Sequence, residues 1–566
     1  MSNAKPWIAS YPPETAPSLE YPRVPLTHFL EQAAAEFPDH PALYFMGRRI
    51  TYRELLAMSY QFANALIKRG VKKGDRVAVM LPNSPQAVIG YYGSLMAGAT
   101  VVMTNPLYTE RELIHQLNDS GAETIITLDL LYSRVAAVKA STPLKRLMIT
   151  SVGDFLPFFK KMLYPLVQKK QGHHPQITYG GDVEPFLSVL KESAINPVTP
   201  EVDPEKDIAL LQYTGGTTGL AKGVMLTHRN LVANALQCQA VMYKFVRGRE
   251  RILAALPLFH VYGMTTVMNK GISIAAEIIL VPKFNVKQIL KLIDKTKPTL
   301  FPGAPTMYIG LINHPDLPKY DLSSIAACVS GSAPLPVEVQ RRFEELTGGR
   351  LVEGYGLTEA SPVTHSNPIW GKRISGSIGL PWPDTDCRIV DPSTGEELPQ
   401  GEIGELAVKG PQVMLGYWNR PEETAAVLRD GWLLTGDMGY MDADGYFYVV
   451  DRKKDMIIAG GYNIYPREVE EVLFEHPAVQ EAAVIGVPDP YRGETVKAFI
   501  VLKEGAQVSE EELERHCRQR LAAYKIPRMY EFRKELPKTM VGKVLRRQLL
   551  EEEKKRSAAE DQVKTS

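Results

Sequence analysis

Residues 211 to 223 read Leu-Gln-Tyr-Thr-Gly-Gly-Thr-Thr-Gly-Leu-Ala-Lys-Gly, and this stretch decides how the chain is understood. Gly215, Gly216 and Gly219 let backbone N–H groups approach an anion and adopt positive φ. Thr214, Thr217 and Thr218 add hydroxyl donors, and Lys222 supplies a point charge. Those are the parts of a phosphate cradle. The nucleotide loop G-x-x-x-x-G-K-[ST] is not matched: Ala221 precedes Lys222, and Gly223 after it has no hydroxyl for magnesium. Working outward, Ile208 to Tyr213 and Val224 to His228 read as strands, so the loop is predicted to join a hairpin held at both ends.

Upstream, strand and helix signals alternate. Thr51-x-x-Glu54 is a capping box opening a helix whose apolar face carries Leu55, Phe62, Ala63 and Leu66, and Gly70 stops it. Asp75 to Leu81 reads as a buried strand, Ala87 to Ala97 as a helix and Ala99 to Met103 as a strand. Thr109 to Ser120 then reads as a helix and Glu123 to Thr127 as a strand. Such alternation with short joints predicts a doubly wound α/β layer. Residues 1 to 25, rich in proline, are expected as an arm laid over the surface.

The bulk properties narrow the class. A chain of 566 residues suggests roughly two to four domains. Lys+Arg 65 against Asp+Glu 64 leaves a net charge of +1, so nothing global points to a nucleic-acid partner. Cys238, Cys328, Cys387 and Cys517 stand apart, which excludes a C-x-x-C zinc site and predicts reduced core thiols. Met1 to Trp7 lacks the apolar core of a signal peptide and no run is long enough to span a bilayer, so a cytoplasmic location is expected. Residues 155 to 170 mix large apolar side chains with four lysines, a composition suited to an anionic membrane interface, although two prolines argue against a continuous helix.

Further motifs follow downstream. His260 is the most polar member of the apolar run Ala254 to Tyr262. Gly331, Ser332 and Ala333 offer a small, flat turn that a planar base could approach. In Glu353-Gly-Tyr-Gly-Leu-Thr-Glu359, Tyr355 can stack on a base, Thr358 can hydrogen-bond a phosphate, and Glu359 offers the hard oxygen that magnesium prefers. Asp437 is an acid at a turn after a strand, and Asp442 to Gly445 reads as a hairpin turn. The charged run Asp451 to Asp455 reads as a solvated linker, with a second compositional region beyond it that contains a capped helix at Ser509-x-x-Glu512.

Taken with the Y-G-x-T-E segment, the Asp430 to Lys454 segment and the ending Pro537-Lys-Thr-Met-Val-Gly-Lys543, the glycine-threonine loop resembles that of the adenylate-forming superfamily. The match is strongest to bacterial long-chain fatty acyl-CoA synthetases and runs from Thr51 to Lys543. One departure is Ala221, where many members have proline. The resemblance implies that Thr214 to Gly219 with Lys222 hold the outer phosphates, and that Gly331 to Ala333 and Glu353 to Gly356 with Thr358 line the nucleotide. It further implies Thr214 and Glu359 for magnesium, and Asp437 and Arg452 for the ribose. His260 positions substrate, Lys454 acts as pivot, and Gly460 and Gly461 line a pantetheine tunnel. Lys543, with Thr358 and Glu359, serves the transferring centre.

The implied fold class is α/β: layered sheets in a large N-terminal region with a smaller β-rich part, plus a small mobile α+β C-terminal domain. Its expected division is 1 to 450, a hinge at 451 to 455, a second domain at 456 to 550 and a tail at 551 to 566. The implied reaction joins a fatty acid to AMP at the expense of ATP, with Mg²⁺, and then passes the acyl group to coenzyme A. An aryl- or medium-chain ligase, or a fatty-acid binding or uptake protein without turnover, stands as the alternative. No nucleic acid is expected, while peripheral membrane attachment and a homodimer are consistent with the resemblance.

Overall fold

The computed structural model describes residues 5–170, 172, 176–198, 200–214, 221–459, 462–489, 492–539 and 542–564, with side chains omitted at 462 and 557–564. The predicted layer exists. An eight-stranded sheet runs in the spatial order Gly416–Tyr417, Lys222–Thr227, Ile208–Thr214, Thr100–Met103, Arg76–Met80, Thr124–Leu128, Arg146–Thr150 and Val183–Pro185. From Ile208–Thr214 to the Val183 edge every pairing is parallel, and the central strands are apolar without alternation because helices or other layers cover both faces. Lys222–Thr227 returns antiparallel to Ile208–Thr214, so the predicted hairpin is present.

A second layer pairs Arg251–Ala254, Glu277–Leu280, Pro41–Phe45 and Arg48–Thr51. Leu300 bridges Ile252 to Ala327 and thereby joins this group to the sheet Ala327–Ser330, Arg350–Gly356, Val363–Ser366 and Leu380–Pro381. The helix Pro85–Met96 is buried along its whole length. A Cβ at Gly93 would come within 2.8 Å of the Ser59 carbonyl oxygen, so glycine sets its close approach to the helix Tyr52–Lys68. The predicted capping box is formed at Thr51/Glu54, and the helix after Thr109 carries another with Glu112.

The β-rich part is the five-stranded sheet of Asp386–Val390, Gly404–Lys409, Leu428–Arg429, Trp432–Met441 and Phe447–Arg452, whose last two strands meet at the predicted Asp442–Gly445 turn. The N-terminal arm lies on this part: Trp7 is buried, with its ring edge-on to Phe447. Beyond it, Ile457–Ala459, Tyr462–Ile464, Val479–Asp489, Gly493–Leu502 and Met529–Arg533 form a separate sheet with its own core, flanked by the helices Pro466–Phe474 and Glu510–Arg518. All four cysteines are free and buried. No helix among the described residues is long and apolar enough to cross a membrane.

Two expectations are corrected. Residues 158 to 170 form one helix, Phe158–Lys170, with Pro165 inside it. Pro165 sits on an exposed turn, where water can take the carbonyl that the missing N–H leaves unpaired. The run 451 to 455 is not uniformly solvated either: Asp451 is buried in the last strand of the β-rich sheet, and its carboxylate accepts from the backbone N–H groups of Arg452 and Arg467.

Candidate active site

The hairpin, the turn after Ala327–Ser330, the Tyr355 segment and the last strands of the β-rich part all converge on one region. Asn83, which follows the central strand Arg76–Met80, anchors its floor. Its amide donates to the carbonyls of Ala254 and Leu256, each at 2.8 Å, and its oxygen accepts from Leu258 N–H at 2.7 Å. The segment leading to His260 is thus tied to the main sheet. His260 Nδ1 accepts from Tyr262 N–H at 3.3 Å and caps the short helix behind it. Burial, and then the charge of Lys543, push its pKa down to about 4, so it is a neutral imidazole across the physiological range.

Against Tyr262, two positions after His260, lies the turn of small residues. Ser332 has φ of 71°, and a Cβ at Gly331 would meet the Tyr262 ring at 3.0 Å. Tyr262 itself donates to Val329 O at 2.7 Å. Gly331 is therefore also required for packing, a reason that the sequence does not disclose. The same holds in the next segment, where a Cβ at Gly354 would lie 2.8 Å from Val329 Cγ1 and one at Gly356 2.1 Å from Pro362 O. Glu353 is buried. Its carboxylate accepts from Leu335 N–H at 3.2 Å and faces Arg467 of the second domain at 3.7 Å. Burial raises its pKa to about 7 against the pull of Arg467.

Tyr355, Asp437 and Arg452 form one cluster. The Tyr355 hydroxyl donates to Asp437 Oδ2 at 2.5 Å, and Arg452 Nε stands 3.5 Å from Asp437 Oδ1, across the antiparallel pair in which the two residues face each other. Lys543 joins them from the second domain. Burial, and then the nearby Arg452, push its ammonium down to about 7, with Asp437 and Asp455 opposing the shift and Lys454 adding to it. Lys454 is lowered by the same causes. The lysine is presented by a small loop in which Thr539 N–H donates to Lys543 O at 2.8 Å. Gly542 has φ of 80°, and a Cβ there would meet Thr306 Oγ1 of the large domain at 2.4 Å, so Gly542 is seated flush against that domain.

Glu359 lies in the 3₁₀ turn Thr358–Ala360 and accepts from the Tyr417 hydroxyl at 2.8 Å. Lys222 is paired with Glu423, and its ammonium lies 4.9 Å from the centre of the Tyr417 ring. Tyr417 thus links the hairpin lysine to the carboxylate predicted for magnesium. A cleft of about 220 Å³ runs from Glu359 and Tyr417 to Gly436 and Lys453, but it does not reach Tyr355, Asp437 or Gly331. Thr214 ends its strand beside Lys222. Gly215, Gly216, Thr217, Thr218 and Gly219 lie outside the described residues, as do Gly460 and Gly461.

Several contributors were not foreseen. Tyr417, Glu423 and Arg467 belong to no motif, and neither does Glu405, whose carboxylate accepts from Gly436 N–H and pairs with Lys453 at 3.0 Å. Arg546 pairs with Glu470 at 2.7 Å, Asp455 at 3.3 Å and Asp451 at 3.5 Å. Ser330 Oγ and Gln212 Oε1 are buried without a partner among the described residues. One adjoins the small turn, and the other lies on the strand leading to Thr214. Orphaned polar atoms suit a polar nucleotide, and the carboxylate oxygens of Glu359 are of the kind a hard cation takes.

Comparison with known proteins agrees with this geometry. Residues 30–418 match the AMP-binding enzyme family, and residues 468–543, ending on Lys543, match the AMP-binding enzyme C-terminal domain. The chain is 59% identical to the long-chain-fatty-acid–CoA ligase of Bacillus subtilis (strain 168), over 98% of this chain and 99% of that protein. It is 42% identical to the enzyme of the same description from Escherichia coli O6:H1, over 97% and 98%. An anthranilate CoA ligase, AuaEII, solved with anthranoyl-AMP, superposes with a TM-score of 0.85 at 30% identity, covering 95% of this chain and 99% of that one. ATP-bound MatB from Rhodopseudomonas palustris gives 0.81 at 31%, covering 93% and 98%. With both of its domains matched and a lysine of the second brought to an Asp–Arg–Tyr cluster of the first, this chain belongs to the AMP-binding enzyme family, in the long-chain-fatty-acid–CoA ligase group.

Proposed function

We propose that the chain activates a long-chain fatty acid in two steps within one site. A carboxylate oxygen of the acid attacks the α-phosphorus of ATP, the bond to the β-phosphate breaks, and pyrophosphate leaves. The sulfur of coenzyme A then attacks the acyl carbon, its proton is lost to solvent, and AMP departs. The observation that carries this reading is the placement of Lys543 beside Arg452 and Asp437. Bringing a carboxylate to a phosphate sets two anions together, and a fixed cation at that point lowers the repulsion.

In this reading Asp437 and Arg452 hold the ribose, Tyr355 stacks on the base, and Gly331, Ser332 and Ala333 form its bed. Thr214, the glycines and threonines after it and Lys222 hold the outer phosphates. Glu359 with Thr214 holds Mg²⁺, which neutralises charge on the phosphates. His260, being neutral, positions the acyl carboxylate and moves no proton. Residues 1–450 and 456–550 are the two domains. The hinge at 451–455 lets the second one rotate so that the Gly460–Gly461 segment takes the place of Lys543 for the second step.

Lys543→Ala tests the division of labour. The variant should lose pyrophosphate release yet still convert supplied acyl-adenylate and CoA to acyl-CoA in a single turnover. Loss of both steps in a folded variant would overturn the assignment. A panel of acids from C2 to C18, scored by AMP formation, decides chain length. Location in the cytoplasm with attachment to the inner face of the membrane, and a homodimer, complete the proposal. Light scattering decides the last, since a mass of one 63.0 kDa chain excludes it.

A further inference from the structure

The helix Phe158–Lys170 has an unusual surface. Phe158, Phe159, Met162, Leu163, Leu166 and Val167 are between 46 and 78% exposed, and no other helix among the described residues shows more than one such side chain. At 100° per residue their directions fall within one half of the helix circumference. The opposite side is fastened. Tyr164 lies against Gly153, where a Cβ would come within 2.7 Å of its ring, and Gln168 is buried and donates to Asp129 Oδ2 at 3.1 Å. The apolar arc is therefore held outward by contacts one turn apart on the inner side.

Charge says what covers it. The helix carries Lys160, Lys161, Lys169 and Lys170 and no acidic residue. Lys160 is bonded to Met46 O at 2.7 Å, which brings the half-exposed Met46 beside the arc, and the neighbouring Arg48 lies over the Phe155 ring. An apolar arc on a helix whose own charges are all cationic, with Asp129 and Asp154 on the fastened side at Gln168 and Tyr164, complements a surface that is apolar within and anionic at its rim. We propose that this helix is the protein's docking surface for an anionic lipid bilayer, lying in the interface plane with Phe158 and Phe159 inserted. This makes specific the membrane attachment included in the proposed function, and it stands without the reaction, because binding is read with no substrate present.

The full chain is sedimented with vesicles of phosphatidylcholine containing phosphatidylglycerol, and with vesicles of phosphatidylcholine alone. The partition coefficient should be at least about tenfold higher on the anionic vesicles and fall with added salt. Replacing Phe158→Ser and Phe159→Ser together should lower it by on the order of a hundredfold. Met162→Ser with Leu163→Ser serves as a second pair should the first not fold. Leu107→Ser, equally exposed but elsewhere, should leave binding unchanged. The proposal is overturned if the wild type stays in the supernatant, if a folded double variant binds as well as wild type, or if Leu107→Ser weakens binding as much. It is also overturned if the serine pair turns a dimer into a monomer, since a second copy would then cover the arc.

Discussion

Lys543 is the residue whose charge the proposed first step needs, and the folded chain makes that charge conditional. With its ammonium pushed down to about 7, the side chain is about half charged at pH 7 and about one-tenth charged at pH 8 before nucleotide arrives. Triphosphate placed beside it favours the charged form, so binding at pH 8 should take up about 0.9 proton per chain, against about 0.1 at pH 6. Titration calorimetry of ATP·Mg²⁺ without fatty acid, in buffers of low and high ionisation enthalpy, measures this uptake. In kinetics, kcat/KM for ATP in the pyrophosphate-forming step should fall roughly tenfold per pH unit above 7. Lys543→Arg, charged at every accessible pH, should lose that slope even if it is slower. The reasoning is refuted if wild type binds ATP at pH 8 without proton uptake, or if Lys543→Arg keeps both the uptake and the slope. Stability carries the same signature: since the folded value lies below the ordinary lysine value of 10.5, this residue's contribution is present above 10.5 and is lost as pH falls through about 7.

Two further substitutions probe the surroundings. Gly542→Ala places a methyl group 2.4 Å from Thr306 Oγ1 at φ of 80°. It should slow pyrophosphate formation about tenfold or more while sparing thioester formation from supplied acyl-adenylate, and adding Thr306→Ala should recover part of the loss; equal slowing of both steps counts against it. Glu423→Gln removes the partner of Lys222 and should tighten ATP binding by up to about fivefold, the worth of a half-exposed pair. Weaker binding, measured by the same calorimetry, would show that Glu423 helps to hold the nucleotide.

What the chain disclosed beforehand was what local chemistry encodes. Thr51 announced its helix because a capping box is complete within four residues, and the hairpin was legible because both of its strands, Ile208–Thr214 and Lys222–Thr227, adjoin the loop. The residues proposed for the site were named through resemblance, and of them Tyr355, Asp437, Arg452 and Lys543 lie together in the fold. Tyr417, Glu423 and Arg467 were not, because each acquires meaning only through a partner far along the chain: Tyr417 from Glu359, Glu423 from Lys222, Arg467 from Glu353. The two corrections share that cause. Pro165 was weighed as a local helix breaker, whereas Tyr164 and Gln168 pin the helix from outside it, and Asp451 was weighed as one of five charges, whereas Arg546 lies ninety-odd positions downstream.

Arg546 has a mechanical consequence. Its guanidinium gathers Asp451, Asp455 and Glu470, and it lies three positions after Lys543. Points near an axle barely separate when a wheel turns, while points at the rim travel far. In the proposed swing about residues 451–455, the Arg546 cluster sits at the axle, because Asp451 and Asp455 are themselves hinge residues. The knot would thus stay tied through the proposed rotation, so that Lys543 would travel as part of a stiff crank.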